Sequence, residues 1–202
     1  EAHNIRYPSL HLPPIKADDP EGTLRQAVAY ADFAHAIGVG TVIFKAETLD
    51  LYLQYTTAFL DRTADLGLTT VITNHANAAI STLDDYHRVL DGVDDPRLKA
   101  LLEVGHFHKV GIDWATAYTS LHDRVALVHI KDMRGEAPVA PYGHGEVDFA
   151  GLFTRLHNDG YRGDYVVELE KVPQDQAVSL LEQSVAYLRD LLTGLHDGEQ
   201  RI

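Results

Sequence analysis

The chain has 202 residues, no cysteine, 45% hydrophobic and 23% charged residues, which is the make-up of one globular domain, residues 1–202. It leaves out a disulfide framework, a zinc ribbon and a thiol nucleophile. With 17 basic against 30 acidic residues the net charge is −13, a surface that repels phosphate backbones, so no nucleic-acid partner is expected. No run approaches the ~20 apolar residues of a membrane span and no signal peptide is visible, so a cytoplasmic protein without a membrane partner is expected.

Strand-like and helix-like runs alternate along the chain. Ser9 to Leu12 is a short apolar run stopped by Pro13 and Pro14. Leu24 to Ile37 is helical, with Thr23 expected as N-cap and Gly38 as stop. Thr41 to Phe44 reads as strand, Leu49 to Leu66 as helix ending at Gly67, and Thr69 to Thr73 as strand. Ser81 to Leu90 is helical, Leu98 to Val104 holds a strand, Ile112 to Leu121 a helix, and Val125 to Ile130 a strand. A long loop from Asp132 to Val147 is followed by a helix from Phe149 to Asn158 and a strand at Tyr165 to Val167. Gln174 to Leu192 is the last helix, with a polar tail after it.

The strand centres near 43, 71, 101, 128 and 166 repeat mostly every ~30 residues, the length of a βαβ unit. Continuously apolar strands point to a parallel sheet covered on both faces. An open doubly wound sheet and a (β/α) barrel both fit. The first helix opens without a glycine-rich fingerprint, which weighs against a dinucleotide fold.

Polar residues gather where strands end: Thr73-Asn74-His75, Glu103-Val104-Gly105-His106, His129-Ile130-Lys131-Asp132 and Glu168-Leu169-Glu170. In a barrel these ends share one mouth, where active sites sit. Alternation along a strand puts His129 and Lys131 on one face, and Glu168 and Glu170 on one face. Carboxylates and an imidazole converging on one cavity suit a divalent cation such as Mn, Mg, Co or Zn. Taken singly, a strand-end histidine is more often a hydrogen-bonded structural residue. The Glu168/Glu170 pair is expected to include one solvated charge.

Four segments carry a family resemblance. Glu103-Val104-Gly105-His106 resembles the Asp-Thr-Gly-His motif of the xylose isomerase-like sugar isomerases and epimerases. Val128 to Asp132 resembles their Val-His-Leu-Lys-Asp motif, and Gly143 to Phe149 their Gly-Glu-Gly-x-Val-Asp-Phe loop. Gly160-Tyr161-Arg162-Gly163 with Val166-Val167-Glu168 is similar to their Gly-Tyr-x-Gly and Val-Val-Glu ending. The four stand in family order between residues 98 and 170, and the last three read closest to the inosose dehydratase branch.

The resemblance implies a (β/α)8 barrel with a metal held by groups on four strands. Carried over, the metal ligands are Glu103, at the family's Asp position, His129 and Glu168. Glu168 is also the proton carrier, and His106 acts in catalysis and on the substrate. Lys131, Arg134 and His75 are further substrate contacts, with surface exposure the alternative for Arg134. The family's first ligand, a Glu, falls on or beside Thr73, which cannot serve as a carboxylate base. Weak, exchangeable metal is expected in consequence.

About six strands are countable against the eight of a barrel. The resemblance places roughly two βα units before Glu1, and the only methionine is Met133. Either residues lie upstream, or a homo-oligomer or partner chain closes the sheet. The implied activity is a metal-dependent isomerase or epimerase that removes a proton next to the carbonyl of a small sugar or keto-polyol. The alternatives are an inosose dehydratase-like lyase and a non-catalytic barrel subunit with part of its metal site lost.

Overall fold

A computed structural model describes residues 6–199, with side chains described through residue 194. Strands and helices alternate as β1 (Ser9–His11), α1 (Pro20–Ala36), β2 (Thr41–Ile43), α2 (Leu49–Arg62), β3 (Thr69–Thr73), α3 (Leu83–Val93) and β4 (Leu98–Glu103). Then follow α4 (Val104–Lys109), α5 (Trp114–Leu121), β5 (Val125–Ile130), β6 (Met133–Arg134), β7 (Ala137–Pro138), α6 (Phe149–Asn158), β8 (Tyr165–Val167) and α7 (Ala177–Glu199). The six main strands follow the order β1-β2-β3-β4-β5-β8. The pairs β1–β2, β2–β3, β3–β4 and β5–β8 are parallel. This is the expected sequential α/β arrangement, in which each helix returns the chain to start the next strand in the same direction.

The chain divides into two compact units, 1–102 with 120–127 and 103–119 with 128–202. In the first, Phe44 packs against Phe59 at a centroid distance of 4.7 Å and edge-on to Tyr52 at 5.9 Å. Tyr86 of α3 is fully buried, and its hydroxyl donates to the Leu101 carbonyl at 2.5 Å while accepting from the Asn74 amide at 2.8 Å. One hydroxyl thus satisfies backbone groups at the ends of both β3 and β4, which a buried chain must otherwise leave unpaired. In the second unit, Phe153 of α6 meets Tyr165 of β8 edge-on, and Phe149 of α6 packs against Phe153 and against Tyr187 of α7.

Several element ends differ from the sequence reading. Helix α1 starts at Pro20, and its cap is Asp19, which accepts from the Gly22 amide at 2.9 Å. Proline's preset φ and missing N–H suit the first helical position, so Thr23 falls inside the first turn, its hydroxyl donating to the Asp19 carbonyl. Helix α2 stops at Arg62, and a 3-10 turn over Ala64–Leu66 leads to left-handed Gly67. Helix α5 begins at Trp114 rather than Ile112, and α7 begins at Ala177 and continues through the expected polar tail to Glu199. The 132–147 loop contains the antiparallel β6–β7 ribbon. The short helix α4 was not anticipated: Glu103 ends β4 and also caps α4, accepting from the Gly105 amide at 3.3 Å.

Candidate active site

Glu103, His129 and Glu168 come together in the second unit. Glu103 is the last residue of β4, His129 lies in β5, and Glu168 follows β8 directly. The Nδ1 atom of His129 is 3.3 Å from Glu103 Oε2 and 3.2 Å from Glu168 Oε1. The His129 and Glu103 side chains are 4% and 3% exposed and Glu168 is 31% exposed, so the cluster opens to solvent on the Glu168 side.

Lys131, two residues beyond His129 and buried, completes the arrangement. Its ammonium lies 2.9 Å from Glu168 Oε2 and 2.9 Å from Glu170 Oε1, and 3.4 Å from His106 Nε2. The stem of Lys131 lies against the backbone of Gly105, where an added Cβ would stand 2.7–2.9 Å from the lysine Cβ, Cγ and Cδ. Glycine at this position is therefore a steric requirement for the buried lysine.

The electrostatics follow from this packing. Burial alone would disfavour a charged imidazole, but hydrogen bonding and charge from Glu103 and Glu168 outweigh it and hold His129 up at about 9. Glu168 is held well below the usual carboxylate range, chiefly by its hydrogen bond with His129, against burial and with help from Lys131. Burial pushes Glu103 up. The hydrogen bond from Lys131 holds Glu170 down. Burial would lower the Lys131 ammonium, yet Glu103, Glu170 and Glu168 raise it above its ordinary value.

His129 and Glu168 present donor atoms within 4.8 Å of one another, close enough to share a divalent cation, and Glu103 faces the same imidazole. Two carboxylate oxygens face the same imidazole nitrogen, and such mixed N/O groups bind Mn, Mg, Co or Zn at ~2.0–2.6 Å once that nitrogen is unprotonated. In the absence of a cation, a proton on His129 and the ammonium of Lys131 offset the carboxylates.

Arg134 is exposed and its guanidinium donates to the His144 carbonyl. Thr73 and His75 belong to the first unit. The Thr73 hydroxyl donates to the Asn74 carbonyl at 3.2 Å, and His75 Nδ1 lies 2.7 Å from the Ala76 carbonyl. Of the pair expected to include one solvated charge, Glu170 is the exposed member, and it also pairs with the Lys131 ammonium. Its two-residue spacing from Glu168 was the available signal. Asp132 was quoted within a motif but given no role. It is buried and accepts from the amides of Met133, Gly143 and Gly145 at 2.9, 2.9 and 2.8 Å.

The xylose isomerase-like TIM barrel family matches residues 1–191. The chain belongs to that family. Within it, the chain is 27% identical over 150 residues to the inosose dehydratase of Geobacillus thermodenitrificans, covering 65% of this chain and 50% of that enzyme. The chain thus spans about half the length of this curated relative. Solved xylose isomerase-like folds are also similar. A D-tagatose 3-epimerase-like protein superposes with a TM-score of 0.78 at 17% identity, covering 94% of this chain and 78% of that one. An IOLI protein with a bound zinc atom superposes with a TM-score of 0.75 at 15% identity, covering 93% and 77%. At these identities the likeness speaks for the fold. Among the described residues no helix is long and apolar enough to cross a membrane.

Proposed function

We propose that this chain forms, as one barrel domain, the metal-holding part of a cytoplasmic enzyme that removes a proton next to the carbonyl of a sugar or keto-polyol. The observation that carries the reading is the convergence of Glu103, His129 and Glu168 on one point beside Lys131. Glu103, His129 and Glu168 would hold a divalent cation, which when bound supplies Lewis-acid polarisation of a substrate carbonyl. The zinc of the IOLI neighbour supports a cation in such a fold.

The chain's own residues supply the rest. Glu168 is ionised beside His129 and Lys131 and is the carboxylate placed to take a carbon-bound proton; a cation and substrate that draw His129 and Lys131 away from it would raise its basicity. Lys131, fixed by Glu168, Glu170 and Gly105, directs a fixed positive charge at the oxygen that gains charge in the transition state. His106 Nε2, within 3.4 Å of the Lys131 ammonium, is placed to contact a substrate hydroxyl. Return of the proton to the neighbouring carbon gives isomerisation, return to the same carbon from the opposite face gives epimerisation, and departure of a β-hydroxyl gives dehydration. Similarity to the Geobacillus inosose dehydratase favours dehydration.

The test is a proton-exchange experiment. Protein loaded with Mn2+ is incubated in D2O with a panel of ketohexoses and a keto-inositol, and substrate deuteration and loss of water are read by mass spectrometry. Deuterium entry that disappears in Glu168→Gln supports the reading, and water loss separates lyase from isomerase. Metal binding without exchange on any member of the panel would mark a non-catalytic barrel and overturn it.

A further inference from the structure

Tyr142, in the loop after β7, is buried and holds the backbone on which Glu168 stands. Its hydroxyl lies 2.7 Å from the Ile130 carbonyl and 2.5 Å from the Glu168 carbonyl. The β5–β8 ladder pairs Ile130 with Val167, and its last bond runs from the Glu168 amide to the Ile130 carbonyl at 2.9 Å. In a regular parallel ladder the Glu168 carbonyl would next accept an amide from β5. The Tyr142 hydroxyl stands in its place, where the two strands part and the carboxylate cluster begins.

Three contacts anchor the tyrosine. Its ring stacks on Phe149 at 5.5 Å. Its amide donates to the buried hydroxyl of Ser184 on α7 at 3.1 Å. The residues after it are tied to Asp132 through the Gly143 and Gly145 amides. Both glycines are required there. Gly143 has φ +90° with Tyr187 about 3 Å from a Cβ, and a Cβ on Gly145 would stand 2.0 Å from an Asp132 oxygen. The strap is therefore held from the β5 end, from α7 and from α6, and it transmits that rigidity to one site residue.

We infer that Tyr142 is a positioning residue, whose hydroxyl fixes the main chain of Glu168 so that its carboxylate meets His129 and Lys131. The inference rests on the reading of Glu103, His129 and Glu168 as a metal centre, but its geometry can be tested apart from that reading. Groups that orient a metal ligand from behind change metal affinity by ~10–100-fold when lost.

The experiment compares Tyr142→Phe with Phe149→Leu. Mn2+ titration calorimetry and thermal unfolding are run on both, and a crystal structure is determined for Tyr142→Phe. Tyr142→Phe should weaken Mn2+ binding about tenfold and move the Glu168 carboxylate beyond about 4 Å from His129 Nδ1, the limit of an ion pair. Phe149→Leu, which removes one of the three anchors but neither hydroxyl bond, should lower the melting temperature and weaken Mn2+ by no more than about threefold. Ser184→Ala, which frees the strap from α7, should weaken Mn2+ about threefold, short of the tenfold range, and serves if Tyr142→Phe fails to fold. Equal effects of Tyr142→Phe and Phe149→Leu on affinity, or an unmoved Glu168, would overturn the inference. If the unsubstituted protein binds no Mn2+, the metal reading fails, and the position of Glu168 in the variant crystal structure decides the inference alone.

Discussion

Glu168 and Glu170 both reach the ammonium of Lys131 at 2.9 Å, but of the two the ion pair with His129 belongs to Glu168. That difference separates their roles. On the proposed reading Glu168→Gln removes a cation ligand and the proton acceptor together, so turnover should fall by at least about 100-fold. Glu170→Gln leaves the ligand set intact and should cost less than about tenfold, since the lost partner is one of two carboxylates on Lys131. Steady-state rates on the substrate found by deuterium exchange check both values, and equal losses would mean that the proton carrier is misassigned. Gly105→Ala tests the lysine from behind. Its methyl group would stand 2.7 Å from Lys131 Cβ, so overpacking should lower stability by about 1–3 kcal/mol, read by urea unfolding. If His129 is a ligand, as proposed, the cation and a proton compete for its Nδ1. Because the carboxylates hold that imidazole up at about 9, Mn2+ affinity should climb as pH rises from 6.5 towards 9 and level off above it. Calorimetry across that range, showing proton uptake by the buffer on binding, measures it.

Helix α3 shows how a short sequence pattern sets an element. Thr82 accepts from the Asp85 amide and Asp85 accepts from the Thr82 amide, a reciprocal cap. The cap aims Tyr86 into the first unit, where its hydroxyl joins the ends of β3 and β4. Asp85→Ala should cost about 1 kcal/mol, measured by chemical denaturation at pH 7. Burial would raise the Asp85 carboxyl, but hydrogen bonds from the Ser81 and Thr82 amides and hydroxyls together hold it below its ordinary 3.8. A lowered carboxyl stabilises the fold above its unfolded value and loses that contribution as pH falls through its folded value. The gap between wild type and Asp85→Ala should therefore be full at pH 5 and close below pH 3.8. Helix α4 is the opposite case: six residues long, it carries no hydrophobic period, and it forms because Glu103 caps it and Val104 and Phe107 are buried.

For the whole molecule, a cation held only by folded geometry links metal to stability. The second unit gathers the three proposed ligands from β4, β5 and the residue after β8, sites far apart in an unfolded chain. Mn2+ at about 100 times its dissociation constant should add about 2.7 kcal/mol of stability. Thermal unfolding with Mn2+ and with a chelator measures it, and identical melting curves would mean that no such site exists.

The (β/α) alternation, the parallel strand order and the three clustered residues Glu103, His129 and Glu168 were legible in the sequence. Hydrophobic period and strand-end polarity are local patterns, and the motif spacing preserves them. The net charge of −13 and the absence of cysteine are likewise properties of the chain alone. Tertiary structure decided what those patterns cannot carry. Thr23 read as a cap because threonine before an apolar run is a common start, whereas Pro20 and Asp19 set the turn four residues earlier. The sequence left open which of Glu168 and Glu170 is solvated, and the fold makes it Glu170, exposed but within reach of the buried Lys131 ammonium. Tyr142 carries no sequence signal, since its value lies in two carbonyls, at Ile130 and Glu168, that only the folded β5–β8 junction brings to one hydroxyl.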